Sequence, residues 1–281
     1  MVWERMMVAT SRGEFEVFAK GAGEPICVTH LYSEFNETGD YFAETFTETN
    51  RVYLVNLREA GNSDKIRHPY ELSMLESVFD LEAIRTALGF EQWGFAGHST
   101  GGMLGVVYGI YFSAHLHFLL VAGAAAREYM TFSKDCIYNP EHPLFSRMQE
   151  LIENLKSTAA TEREKREWKI ERTKLSLNSP DNYEYYFSSP IIKKLSAIRM
   201  DFFNRELQLF DLTRKLKLIA TPTLIMCGRH DVQCPLLYSK EMAELIPGAQ
   251  LAIFDNSNHY PFLEEKTKFH QMYKAYIDEL A

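Results

Sequence analysis

The chain has 281 residues, and its hydrophobic fraction of 46% provides for one large core or two modest domains. Acidic residues number 38 and basic residues 30, and the resulting net charge of -8 argues against nucleic acid or an anionic membrane surface as a partner. The first residues lack the basic start and apolar run of a signal peptide, and no window is long enough to cross a bilayer. We therefore expect a cytoplasmic protein.

The four cysteines form no CxxC pair, and most of them lie in apolar or strand-like stretches. This spacing predicts neither a metal cluster nor a disulfide framework, and it fits a reducing compartment. The cysteines are Cys27, Cys136, Cys227 and Cys234.

The chain opens with two predicted strands, 2–10 and 14–19, joined by a turn that contains Gly13. Glycine suits this turn because it tolerates the positive φ that a tight hairpin requires. Two further strands, 25–30 and 51–57, are continuously apolar. Strands without polar alternation are typical of a sheet that is covered on both faces.

A helix is predicted to begin at Ser73, where Ser73 and Glu76 form a capping box, and to end at Gly89. Its apolar residues recur at helical spacing. The elements that follow alternate in type, with a strand at 91–96, a helix at 103–112 and a strand at 117–123. Such alternation indicates a parallel sheet built from right-handed crossovers.

From 124 to 213 the apolar strands disappear, and long charged helical stretches take their place. One of these, 161–174, starts with a capping box at Thr161 and Glu164 and is predicted to be a solvated helix. We interpret the whole segment as an inserted helical cap. Strands return at 221–228 and 249–254, accompanied by helices at 239–245 and 262–280.

The stretch Gly97-His98-Ser99-Thr100-Gly101 connects a predicted strand directly to a predicted helix. Such a reversal requires a very tight turn, which strains the backbone of the serine and exposes its hydroxyl beyond the end of the sheet. Glycine on both sides removes Cβ atoms that would clash. Two glycines around a serine also occur in ordinary turns, so the motif needs partners elsewhere in the chain.

A serine hydroxyl is a poor nucleophile unless a base takes its proton and a carboxylate orients that base. Asp231 follows the strand at 221–228, and His259 follows the strand at 249–254. Because the carboxyl ends of parallel strands lie along one edge of a sheet, we expect Ser99, Asp231 and His259 to converge there.

The order serine, acid, histidine resembles that of the α/β-hydrolase fold serine hydrolases. The resemblance covers nearly the whole chain, from the opening hairpin to the histidine loop, which is followed by Glu264. It implies an α/β fold with a mostly parallel eight-stranded sheet. It also implies a hydrolase core formed by 1–123 and 214–281, with a helical cap at 124–213.

Other residues compete for the same roles. Taken alone, Asp231 is compatible with capping the next helix, and His259 with an ordinary loop histidine. Of the other histidines, His98 is adjacent to the serine and is expected to point elsewhere, while His30 lies in a loop that the fold uses for the oxyanion. Asp255 precedes the histidine too closely to match the order of the family.

The expected chemistry is acyl transfer, in which His259 deprotonates Ser99, an acyl-enzyme forms, and water activated by His259 releases the acid. The N–H of Thr100, which opens the helix after the serine, is one expected donor to the oxyanion. By resemblance the second donor comes from the first strand-end loop, where we assign Tyr32, with Leu31 as the alternative. Neither a metal nor an organic cofactor is implied.

The cap and loops resemble those of the proline iminopeptidases and of the small esterases and lactonases. For an aminopeptidase the cap must offer carboxylates to the ammonium group of the substrate. Asp201-Phe202 is similar to the acidic-aromatic pair of those peptidases, and an aromatic cluster at 182–187 is expected to form cap core or to line the pocket. The predicted substrate-binding residues are Glu184, Tyr185, Asp201, Phe202 and Glu206.

The loop His30-Leu31-Tyr32-Ser33-Glu34 replaces the Gly-rich loop that is typical of those peptidases. We therefore rank a carboxylic-ester hydrolase with an apolar acyl pocket ahead of a prolyl aminopeptidase. A binding protein of the same fold, which retains the triad and turns over slowly, is the alternative from another class. In each case the expected partner is a small molecule or a short peptide.

Overall fold

The computed structural model describes residues 2–280, and this part of the chain contains ten β-strands. They are β1 (Glu4–Thr10), β2 (Gly13–Lys20), β3 (Pro25–Val28), β4 (Ser33–Glu34), β5 (Arg51–Val55), β6 (Trp93–His98), β7 (Leu116–Ala122), β8 (Lys194–Leu195), β9 (Thr223–Gly228) and β10 (Gln250–Phe254).

The α-helices pack around these strands and connect most of them. They are α1 (Tyr41–Glu44), α2 (Met74–Ala87), α3 (Thr100–Phe112), α4 (Phe145–Lys156), α5 (Glu162–Lys174), α6 (Tyr183–Tyr186), α7 (Ala197–Glu206), α8 (Leu236–Leu245), α9 (Pro261–Glu264) and α10 (Lys266–Leu280).

The main sheet has eight strands in the order β1-β2-β5-β3-β6-β7-β9-β10. The first three of these strands pair antiparallel, and every later pairing is parallel. The predicted mostly parallel, eight-stranded α/β sheet is therefore confirmed. Parallel pairing aligns the carboxyl ends of β3, β6, β7, β9 and β10 along one edge, where the loops after them meet.

The sheet is covered on both faces, as its continuously apolar strands predict. One buried cluster joins the sheet to α2, α3 and α8, and a second joins its other face to α1, α9 and α10. Trp93 and Phe95 of β6 are fully buried in the first cluster. Each such side chain contributes on the order of 2 kcal/mol through the apolar surface that it removes from water.

Only half of the capping box that is predicted at the start of α2 forms. The Ser73 hydroxyl accepts a hydrogen bond from the Glu76 N–H at 3.2 Å, and Gly89 follows the helix with φ 79°. The Glu76 carboxylate does not complete a capping box, because it pairs with Arg12 of the opening hairpin at 2.5 Å. The second predicted box, at Thr161 and Glu164, forms in full.

The predicted helix at 262–280 is divided into α9 and α10 at Glu265, whose backbone is not helical (φ -124°, ψ 49°). The Glu265 carboxylate instead accepts hydrogen bonds from the Asn256 N–H and the Ser257 hydroxyl. This break therefore ties the last helix to the loop that precedes His259.

The segment between β7 and β9 contains α4 to α7 and contributes no strand to the main sheet. It does contain β8, which pairs antiparallel with β4 through Ser33–Leu195 and Glu34–Lys194. The sequence predicts no strand in this segment, because two residues are too few to produce an alternating pattern.

Gly228, at the end of β9, tests the contact between the two loops that carry Asp231 and His259. A Cβ on Gly228 would lie 1.9 Å from the carbonyl oxygen of Asn258 and 2.5 Å from that of Ser257, so the backbone must shift. We expect Gly228→Ala to lower the free energy of unfolding by about 3 kcal/mol. Urea denaturation measures this loss.

The matched control is Gly248→Ala, where φ is +70° but no atom lies within 4 Å of the new Cβ. Only left-handed strain of about 1 kcal/mol is expected there. Equal losses in the two variants would contradict the proposed clash.

Candidate active site

Ser99 occupies a strained turn between β6 and α3. Its φ of 56° is rare for a residue with a side chain, and its N–H donates to the carbonyl of Ala122 at 2.9 Å. A Cβ on Gly97 would lie 2.1 Å from the carbonyl oxygen of Gly101. The flanking glycines therefore permit a strand-to-helix reversal that other residues would block.

Asp231 and His259 form a buried pair. The Nδ1 atom of His259 lies 2.9 Å from one carboxylate oxygen of Asp231 and 3.1 Å from the other. The N–H groups of Gln233 and Cys234 also donate to Asp231, each at 2.9 Å. With His259 2% and Asp231 4% exposed, this carboxylate can hold the imidazole with Nδ1 protonated and Nε2 free to accept a proton.

The sheet places the predicted nucleophile next to Gly123, a residue that borders this pair. In the β6–β7 register, His98 stands opposite Ala122, and the next residue on each strand is Ser99 and Gly123. A Cβ on Gly123 would lie 3.4 Å from Nδ1 of His259. No hydrogen bond joins the Ser99 hydroxyl to His259 within residues 2–280, and in free enzymes such bonds are commonly long.

The competing histidines have other partners. His98 Nε2 lies 2.7 Å from the His259 carbonyl oxygen, which only accepts, so this nitrogen carries a proton. His30 Nε2 lies 3.0 Å from the Thr100 hydroxyl. Burial, reinforced by the charge of Lys193, lowers the pKa of His30 to about 3. The competing acid, Asp255, pairs with Arg229 at 2.7 Å.

The predicted oxyanion donors lie on two loops at the same edge. Thr100 is the first residue of α3. The Ser99 carbonyl accepts hydrogen bonds from the N–H groups of Gly102 and Met103 rather than from that of Thr100. The Tyr32 N–H makes only a long 3.5 Å contact with His30 Nδ1. The Leu31 carbonyl accepts from Arg199, which fixes the backbone on the other side of that peptide unit.

Arg199 is a residue that the sequence analysis missed. It is 2% exposed and donates to Leu31, to the Arg58 carbonyl at 3.0 Å and to the Ser77 hydroxyl at 2.9 Å. It thereby connects α7 to the loop that holds Tyr32. Burial lowers the pKa of Arg199 to about 10, which still leaves the side chain charged at neutral pH. A charged residue in a helical stretch gives no sequence signal for such a role.

The five predicted substrate-binding residues do not gather at one point. Glu184, Tyr185 and Asp201 are exposed, Tyr185 by 79%, and Phe202 is half-buried. The Glu206 carboxylate accepts from the Met74 N–H at 3.0 Å and so caps the start of α2. Substrate contacts of these residues remain predictions.

Two kinds of feature are absent from the part of the chain that the structure describes. Between residues 2 and 280, no group of three or more His, Cys, Asp or Glu is arranged to hold a metal ion. In the same range, every helix is too short or too polar to cross a membrane.

Comparison with known proteins identifies the fold family. The family model described as alpha/beta hydrolase fold matches residues 29–266. The chain therefore belongs to the α/β-hydrolase fold family, and it is a hydrolase-type protein.

Individual relatives agree with this assignment. The chain is similar to the solved structure of an alpha/beta fold family hydrolase from Bacillus anthracis, with 41% identity, a TM-score of 0.94 and complete coverage of both chains. It is 26% identical to the AB hydrolase superfamily protein YisY of Bacillus subtilis, over 90% of this chain and 91% of that protein. It is 23% identical to a proline iminopeptidase of Saccharolobus solfataricus, over 78% and 73%.

The half-buried, neutral histidine at position 30 predicts a pH dependence of stability. The folded pKa is about 3, whereas an unfolded imidazole has a pKa of about 6.5, so the unfolded chain binds more protons between these values. Stability should therefore fall as pH decreases below about 6.5, by about 1.4 kcal/mol per pH unit for this group. Urea unfolding at pH 7, 6 and 5 measures the slope.

We expect His30→Gln to reduce that slope, because the protonation that favours the unfolded state is removed. His117→Gln, at an exposed histidine, is the control that should retain the slope of the unmodified chain. An unchanged slope in His30→Gln would contradict the prediction.

Proposed function

We propose that this protein is a serine hydrolase that cleaves a carboxylic ester or a related acyl bond through an acyl-enzyme. Ser99 attacks the carbonyl carbon, and Nε2 of His259 takes the hydroxyl proton while Asp231 holds Nδ1. The N–H groups of Thr100 and Tyr32 stabilise the oxyanion. The protonated histidine then donates to the departing alcohol, and it activates the water that releases the acid.

A single observation carries the proposal: a serine with φ 56° at the carboxyl edge of the sheet, adjacent to a buried pair with a 2.9 Å Asp231–His259 contact. Backbone strain of this kind costs on the order of 1–3 kcal/mol and persists where function requires it. The alternative of a carboxylate nucleophile lacks support, because position 99 is a serine.

The charges around the site favour an ester over a peptide with a free N-terminus. A buried ammonium group needs a carboxylate partner. The carboxylates predicted for that role are exposed in Glu184 and Asp201 and occupied by a backbone N–H in Glu206. The charged side chains that influence His30 are the cations Lys193 and Arg199.

Hydrolysis of p-nitrophenyl acetate and butyrate tests the nucleophile. We expect Ser99→Ala to lower kcat/KM by about a thousand-fold or more, because the proposed acyl-enzyme forms on the Ser99 hydroxyl. Ser11→Ala, at an exposed position in the opening hairpin, should retain full activity. Labelling by a fluorophosphonate should require Ser99. Equal rates in the Ser99 variant and the unmodified enzyme would refute the proposal.

The second candidate is a prolyl aminopeptidase, which is favoured by the similarity to the proline iminopeptidase. We expect proline β-naphthylamide to be cleaved at least about a hundred-fold less efficiently than the esters, since an unpaired buried ammonium is costly. Efficient amide cleavage that Asp201→Ala abolishes would reverse this ranking. Tight ligand retention without turnover of any ester would instead indicate a binding protein.

A further inference from the structure

The guanidinium of Arg172, on the last turn of α5, forms no salt bridge with a carboxylate among residues 2–280. Its Nε atom is buried and makes no hydrogen bond with any residue from 2 to 280. The adjacent carboxylate of Glu171 is engaged by Arg147 at 2.6 Å. The side chain as a whole is half-buried. Even a partly buried cation without a counter-charge is costly, so an unpartnered Nε favours a ligand at this position.

The helix that carries Arg172 is bonded to the candidate active site. Four residues further on, the Ser176 carbonyl accepts from the His259 N–H at 3.2 Å. The Ser176 hydroxyl accepts from the Gln233 side chain at 2.9 Å, and the Gln233 N–H itself donates to Asp231. Ser176, four residues after Arg172 and just beyond the end of α5, therefore connects this part of the chain to both loops of the proposed triad.

Three tyrosines of the candidate site influence the charge of Arg172. Interaction with Tyr138, above all, and with Tyr260 and Tyr32 raises the pKa of Arg172. Tyr138 donates to the Gln233 side chain at 2.9 Å. Tyr260 follows His259, and its ring stands edge-on to the imidazole at 5.2 Å. Tyr32 carries the proposed oxyanion N–H.

We propose that Arg172, with the hydroxyls of Tyr32 and Tyr260, forms a subsite for a carboxylate, and that the substrate is an ester which also carries a free carboxylate. A guanidinium donates two parallel hydrogen bonds to a carboxylate, and a tyrosine hydroxyl donates another. The inference rests on the proposed function for its catalytic part only, since an anion can bind here without any reaction.

The other charged groups at this edge agree with an anionic ligand. Lys193 and Arg199 add positive charge near His30. The acids nearby are already satisfied: Asp231 holds His259, and Glu264 accepts from the Asn178 N–H at 2.6 Å and the Asn258 N–H at 2.7 Å. An entering carboxylate therefore meets an unpaired cation rather than an unpaired acid.

Binding tests the subsite independently of catalysis. Glutarate and 4-hydroxybenzoate serve as probes, titrated calorimetrically into the unmodified enzyme, Ser99→Ala and Arg172→Met. We expect binding to the first two and a loss of about 10- to 100-fold in Arg172→Met, the range for a charge-assisted contact. Arg163→Met, on the exposed face of the same helix, should bind normally. Equal binding by Arg172→Met and the unmodified enzyme would overturn the proposal.

Kinetics show which part of the ester carries the carboxylate. Mono-p-nitrophenyl glutarate against p-nitrophenyl valerate tests the acyl part, and 4-acetoxybenzoate against its methyl ester tests the alcohol part. For one of these two ester pairs, Arg172→Met should raise the KM of the charged ester about 10- to 100-fold. The KM of the neutral ester in that pair should change less than about three-fold. Arg172→Lys should restore part of the preference.

Equal losses for charged and neutral esters would mean that Arg172 has only a structural role. If no ester is cleaved but the probes still bind through Arg172, the proposed function fails and the subsite stands. The melting temperature separates misfolding from loss of a contact. Arg172→Met should melt at no lower a temperature than the unmodified enzyme. Glutarate should raise the melting temperature of the unmodified enzyme but not that of Arg172→Met. If Arg172→Met melts at a lower temperature, and Arg172→Lys melts equally low although it restores the charge, then Arg172 is not an unpaired cation.

Discussion

The backbone of Ser99 is the constraint on which the rest of the candidate site depends. Its φ of 56° turns the chain from β6 into α3 within one residue, so the hydroxyl and the first N–H groups of the helix share the same edge of the sheet. The turn exists because Gly97 lets the strand approach Gly101, whose own missing Cβ makes room for the Thr29 carbonyl. Close packing of backbone thus maintains a strained residue where a donor is also needed.

Burial separates the roles of the three histidines at this edge. His30 and His98 are half-buried, and desolvation lowers the pKa of both, so they are held as neutral hydrogen-bonding groups. His259 differs because it has a carboxylate, Asp231, as its direct partner. Of these three histidines, only His259 therefore pairs with Asp231, and the surrounding cations do not pair with that carboxylate.

Residues that follow a repeating pattern could be predicted from the sequence, and isolated residues could not. Apolar runs and glycine turns predicted the sheet, and the ends of its strands led to the prediction that Ser99, Asp231 and His259 converge at one edge. The charged stretch 161–174 predicted a helix, but periodicity does not reveal that tyrosines from three other segments influence the charge of Arg172. Arg199 was missed for the same reason, because its partners are backbone carbonyls that become neighbours only in the fold.

The small pairing of β4 with β8 links the loop that carries Tyr32 to the segment between β7 and β9. Ser33 stands opposite Leu195, and the Tyr32 carbonyl accepts from the Ser196 N–H at 2.8 Å. The part of the chain expected to select the substrate and the loop expected to stabilise the oxyanion are therefore joined by backbone hydrogen bonds. A segment transplanted into this position would have to supply a strand that pairs with Ser33 and Glu34, or the loop would lose that support.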